Sequence, residues 1–214
     1  MKKIIILIGL LVAGFSLHAQ GKEAYTKAMR KALESMGNAQ GIEATQAVAS
    51  QFERISAKID SEWHPHYYAG LNYINMSFMA EDLATKDKYT AKAQEFIDKA
   101  VAAAPNNSEV VALQGYNYMA QLAADSGNRG QALSPKAMQQ FGMALKLNPE
   151  NPRANALMAQ MQFGMAQFFG SPTDKPCEMA KKTIPAFDAQ ETGKSLAPTW
   201  GKNMAEALIG QCGK

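Results

Sequence analysis

The sequence predicts an all-α protein, an α-α superhelix of three to four stacked helix hairpins closed by a C-terminal capping helix. Three observations predict it: an alanine-rich composition, a repeat of 44 to 45 residues, and capping residues and prolines placed at the repeat boundaries. Of the 214 residues, 36 are Ala against 16 Gly and 9 Pro, and long β-branched runs are few, which favours helix over sheet. A chain that is 47% hydrophobic and 19% charged can bury one sizeable core and is neither a disordered nor a collagen-like sequence. Lys2 and Lys3 account for two units of the formal net charge of +3, so the rest of the chain carries about +1, a balance that does not suggest nucleic acid.

The first element read along the chain is an export signal. A basic start, Met1-Lys2-Lys3, precedes 14 apolar residues from Ile4 to Leu17, and His18-Ala19-Gln20 offers a cleavage point after Ala19. Fourteen residues rise about 21 Å as a helix, short of the roughly 30 Å hydrocarbon core, so residues 1–19 read as a cleaved signal and not as an anchor. Residues 20–214 then form the mature domain, exported to the periplasm or secreted, with no membrane insertion after cleavage. Glu23 to Leu33 and Glu43 to Ile59 make a degenerate first helix pair, with Phe52 and Ile55 toward the core.

The repeat organises the middle. Gly70-Leu71-Asn72-Tyr73 recurs as Gly115-Tyr116-Asn117-Tyr118, displaced by 45, and Ala93, Ile97, Ala100 and Pro105 recur as Ala137, Phe141, Ala144 and Pro149, displaced by 44. Each unit reads as two amphipathic helices. The first runs from about Pro65 to Ala84 and again from Ser108 to Ala124; the second runs from about Thr90 to Ala103 and again from Pro135 to Leu147. Ala93-Ile97-Ala100 and Ala137-Phe141-Ala144 are small-large-small stripes: the small ends let helices approach closely, and the central side chain fills the groove. Ser134-Pro135 and Asn151-Pro152 each read as an N-cap followed by proline at the first helical position. Lys86-Asp87-Lys88 and Ser126 to Gly130 read as polar connectors inside the hairpins. Pro152 to Phe169 reads as a third first-helix. Its partner, Glu178 to Ile184, is cut by Pro185, and a last helix runs from about Lys202 to Leu208 as the cap.

These residues resemble the tetratricopeptide repeat (TPR) family, whose units carry a Gly, a Tyr three residues on, and then Ala-x3-[Phe/Ile]-x2-Ala-x4-Pro. The resemblance covers Trp63 to Asn151. The period exceeds the family's 34 by about ten residues, inserted between Gly70 and Ala93 and again between Gly115 and Ala137, so the hairpin arms are longer. The resemblance implies a non-enzymatic scaffold that holds a protein or peptide partner in a concave groove lined by the first helix of each pair. Matching positions put His64, Tyr67, Leu71 and Asn75 there from one unit, Glu109, Ala112, Tyr116 and Met119 from the next, and Arg153, Ala156, Gln160 and Phe163 from the third. Tyr, Arg, Met and amide side chains on a rigid face suit protein recognition.

Local catalytic signatures are missing: the chain has no G-x-S-x-G, H-E-x-x-H, dinucleotide fingerprint or calcium loop, and Gly193-Lys194-Ser195 lacks the first glycine of a nucleotide loop. No enzyme activity and no cofactor are expected. His64 and His66, flanking Pro65, are the histidines left after removal of residues 1–19. They open an alternative, a periplasmic small-molecule or metal-binding protein, although two ligands are too few to define a site. The plainer expectation is a helix start with Trp63 against the core and both imidazoles partly solvated. Met158, Met161, Met165 and Phe168 share one helical face and read as a core stripe, although soft-metal ligands would need the same spacing. Cys177 and Cys212, the two cysteines, are expected to pair in an oxidising compartment and fasten the C-terminal cap.

Overall fold

The structure, a computed structural model, describes residues 21–190 and 195–213. The expected signal segment and its cleavage point lie outside the described residues, as does the Gly193-Lys194 step. Among the described residues there are nine helices and no strand, and no helix is long and apolar enough to cross a membrane. They are α1 (residues 21–38), α2 (Gly41–Ser56), α3 (Trp63–Met79), α4 (Leu83–Ala103), α5 (Ser108–Ala124), α6 (Ser126–Leu147), α7 (Pro152–Phe168), α8 (Asp174–Asp188) and α9 (Lys202–Ile209). Four consecutive hairpins and a short terminal helix are thus the predicted all-α superhelix.

The odd-numbered helices α3, α5 and α7 pack on one another in series as well as on their hairpin partners, whereas α4, α6 and α8 make no comparable contact among themselves. Packing along one line and spreading along the other places α3, α5 and α7 on the inner face of the superhelix. One core runs through the stack, from Tyr25 and Met29 of α1 through Phe52, Tyr68, Ile74 and Ile97 to Phe141 and Leu157. The repeat explains its regularity: Ala93-Ile97-Ala100 and Ala137-Phe141-Ala144 are buried at the predicted positions.

The punctuation holds in part. Asn151 caps α7, accepting the Ala154 backbone N–H at 3.0 Å, with Pro152 in the first turn. The stretches read as connectors are instead helix. Asp82 caps α4 by accepting from Thr85 N–H at 2.8 Å, and Asp125 caps α6, so Lys86 to Lys88 and Ser126 to Gly130 form opening turns. The roughly ten residues beyond the usual repeat length are absorbed as extra turns at the start of α4 and α6. A bidentate pair holds these extensions together: Arg129 donates to both Asp87 carboxylate oxygens, at 2.5 and 2.8 Å. Pro135 therefore lies inside α6 and not at its start, and Pro185 lies inside α8, which continues to Asp188. Each proline removes one i→i−4 bond from its helix, and both lie on an exposed side of it.

At the C-terminus, Cys177 of α8 and Cys212 beyond α9 form a disulfide with Cα atoms 5.9 Å apart. Closing a loop across 35 residues stabilises by about 4 kcal/mol on the chain-entropy account. The bond ties α9 to α8, beside the small buried cluster of Ala159, Phe163, Ala180 and Leu208.

Candidate functional site on the inner face

The residues expected to line a groove do fall along α3, α5 and α7, but at very different depths. Tyr67, Leu71, Ala112, Tyr116, Arg153, Ala156 and Phe163 are buried; His64, Asn75, Glu109 and Met119 are half-buried; Gln160 is exposed. What buries the first group is the chain itself.

A polar spine crosses α5 and α7. Arg153, 2% exposed, grips the Glu109 carboxylate through Nε and a terminal nitrogen, at 2.5 and 2.7 Å. Asn151 adds bonds to Ser108 Oγ at 2.8 Å and to Glu109 Oε1 at 3.1 Å. Burial opposes the Arg153 charge, but the Glu109 hydrogen bonds and charge outweigh it and raise the guanidinium pKa. The remaining Arg153 donors reach the Gln190 side chain at 3.0 Å and the Trp200 carbonyl at 3.2 Å.

That last bond holds a strap, residues 195–201, against the inner face. Tyr68 donates its hydroxyl to the Leu196 carbonyl at 2.9 Å, and the Trp200 indole N–H donates to Tyr67 Oη at 2.9 Å. The Trp200 ring stacks on Tyr116 with centroids 5.4 Å apart, and Phe78 stacks on Tyr116 at 5.5 Å, so three rings stand in a row. Burial pushes the Tyr67 and Tyr116 hydroxyls well above their ordinary range, so both stay protonated. The strap ends at Gly201 with φ 105°, a left-handed turn that a side chain would strain, packed on Arg153 Cγ and the Phe187 ring.

The two histidines sit apart from this arrangement, at the start of α3. His66 is fully buried, contrary to the expectation of partial solvation, because its ring is tucked under the turn before α3, with Nε2 3.2 Å from both the Asp60 carbonyl and a carboxylate oxygen. His64 stacks on Trp63 at 4.0 Å. Among the described residues no three His, Cys, Asp or Glu side chains gather to hold a metal ion. The methionine stripe is core: Met161 is buried, and Met158 and Met165 pack on the main cluster.

Three phenylalanines to which the sequence assigns no surface role stand at least partly in solvent. Phe78 is 45% exposed although one side of its ring is stacked. Phe168 and Phe169 are 83% and 70% exposed at the end of α7. Phe168 continues the methionine spacing, but the helix ends there and no neighbour covers it.

No family model and no curated protein matches the chain. Among solved structures it is similar to the HusA haemophore from Porphyromonas gingivalis, at 27% identity over 88% of this chain and 92% of that one, with a TM-score of 0.79. It is also similar to a thermophilic TPR protein from Thermus thermophilus, at 16% identity over 87% and 89%, with a TM-score of 0.59. The second likeness shows the fold alone, the one expected from the repeat.

Proposed function

We propose that this chain is an exported, non-enzymatic carrier that binds haem on the inner face of its helical stack. The observation that carries the reading is the likeness to a haemophore along nearly the whole of both chains. Two features of the molecule support it. The inner face ends in a row of aromatic rings, Trp200, Tyr116 and Phe78, of the type that binds flat apolar ligands. The Cys177–Cys212 disulfide suits a chain that folds outside the reducing cytoplasm. Imidazole ligation is not part of the proposal, because His66 is buried against Asp60 and His64 lies beneath Trp63.

Titration of haemin into the purified chain, followed by the shift of its main visible absorption band and by tryptophan fluorescence, tests the reading. Saturable one-to-one binding at micromolar or lower concentration is expected; a linear, unsaturable response overturns it.

A protein or peptide segment along the same face is the second reading, favoured by the hairpin-repeat fold and by the solvent access left at Gln160, Asn75 and Met119. Under that reading, in-cell crosslinking recovers one polypeptide reproducibly, and Gln160→Arg with Met119→Arg abolishes its recovery.

A further inference from the structure

The eight large apolar side chains that stand exposed among the described residues are unevenly placed. Five of them, Phe78, Met79, Leu83, Phe168 and Phe169, sit at two turns, the one joining α3 to α4 and the one joining α7 to α8. In a stack of hairpins these turns share one edge, and between them on that edge lies the end of α5, which closes on two small residues, Ala123, exposed, and Ala124, half-buried. Large aromatics therefore rise on either side of a low step. Neighbouring helices pack about 8–10 Å apart, so α3 and α7 stand roughly 16–20 Å apart across α5.

The Phe78 side is rigid. Its ring is the open end of the stack that runs back through Tyr116 to Trp200, and Trp200 is in turn fixed by Tyr67 and Arg153. A pre-ordered flat ring with a free face loses little entropy when another flat ring settles on it. On the far side, Phe168 and Phe169 stand edge to face with centroids 5.0 Å apart, both mostly in solvent. Two adjacent phenylalanines held in water are unusual unless something apolar covers them. The histidines are remote: 14 residues separate His64 from Phe78, about 21 Å along α3.

We infer that Phe78 and the Phe168-Phe169 pair are the two aromatic walls of the ligand seat, with Ala123 and Ala124 of α5 as its floor. The inference rests on the haem-carrier reading and assigns the residues that carry it out. The occupant is a flat, largely apolar tetrapyrrole, laid over the alanine step with its face against Phe78.

Haemin titration of four variants tests it. The double variant Phe168→Ala/Phe169→Ala and Ala123→Trp, which fills the floor, alter solvent-exposed side chains and should leave the melting temperature near that of the unaltered chain, whereas Phe78→Ala also gives up its stack on Tyr116 and should lower it by about 2–4 °C with the chain still folded at the temperature of titration. Each should weaken haemin binding by about tenfold or more. Val101→Ala, an exposed apolar position elsewhere on the molecule, should leave it unchanged. Undiminished affinity in both phenylalanine variants overturns the assignment while leaving the carrier reading intact. Absence of saturable binding by the unaltered chain overturns both.

Discussion

Trp200 donates its indole N–H to the Tyr67 hydroxyl at 2.9 Å, joining residues 133 apart in sequence, while the flat of the same ring lies on Tyr116. The C-terminal strap is therefore part of the inner face and no loose tail. Trp200→Phe keeps the stack and loses the hydrogen bond, and should cost about 1 kcal/mol. Trp200→Ala loses both and should cost about 3 kcal/mol. Urea unfolding checks the order; equal stability of the two variants would show that the stack adds nothing.

The buried pair beneath the strap should respond asymmetrically. Removing the carboxylate with Glu109→Ala leaves the Arg153 guanidinium, 2% exposed, without its counter-charge, and should cost about 3–5 kcal/mol. Arg153→Met leaves behind a Glu109 that keeps some access to water, and should cost less. Denaturant titration of both variants and of the double variant gives the coupling. A double variant no more stable than Glu109→Ala alone would contradict the picture of an uncompensated cation.

The repeat made the core readable because its information is local: a Gly, an Ala and one large residue at fixed offsets describe a close helix contact wherever they recur. The extra turns of α4 and α6 escaped that reading. Their opening residues are polar and glycine-bearing, and what keeps them helical is an Asp cap together with the Asp87–Arg129 pair, whose members lie 42 residues apart. The positions expected to line a groove fall along α3, α5 and α7, but nothing in Ser195 to Gly201 announces that this segment lies on Tyr67, Tyr68 and Tyr116. Phe168 shows the complementary limit. Periodicity assigns it to the buried face, yet burial depends on a neighbouring helix reaching that far, which spacing does not encode.

The repeat also sets a graded test at its two equivalent glycines. A Cβ on Gly70 would meet Ile97 Cγ1 at 3.3 Å, a contact that a small shift relieves. A Cβ on Gly115 would overlap the Phe141 ring, with Cδ1 at 2.8 Å, because the second unit has a phenylalanine where the first has isoleucine. Gly115→Ala should therefore cost about 1–3 kcal/mol, and Gly70→Ala should be close to neutral, since alanine regains helix propensity. Adding Phe141→Ile to Gly115→Ala should restore part of the loss. Thermal unfolding of the three variants checks this, and equal effects at both glycines would contradict the contact geometry.

His64 gives the fold a pH dependence whose direction follows from its surroundings. Burial lowers its pKa, and this outweighs the opposite pull of the Glu62 carboxylate, 3.8 Å from Nδ1. The folded chain thus favours the neutral ring, stacked on Trp63, while the unfolded chain binds a proton with the ordinary pKa of about 6.5. Above that value neither state is protonated and the contribution to stability is complete. As pH falls, the unfolded chain takes up the proton first, so stability declines through the interval between 6.5 and the lower folded value, then levels off below it. Melting temperatures measured between about pH 7.5 and pH 5 should fall more steeply for the unaltered chain than for His64→Gln, which keeps a polar planar side chain but cannot titrate. Parallel slopes would show that the imidazole stays as hydrated in the fold as in the unfolded chain.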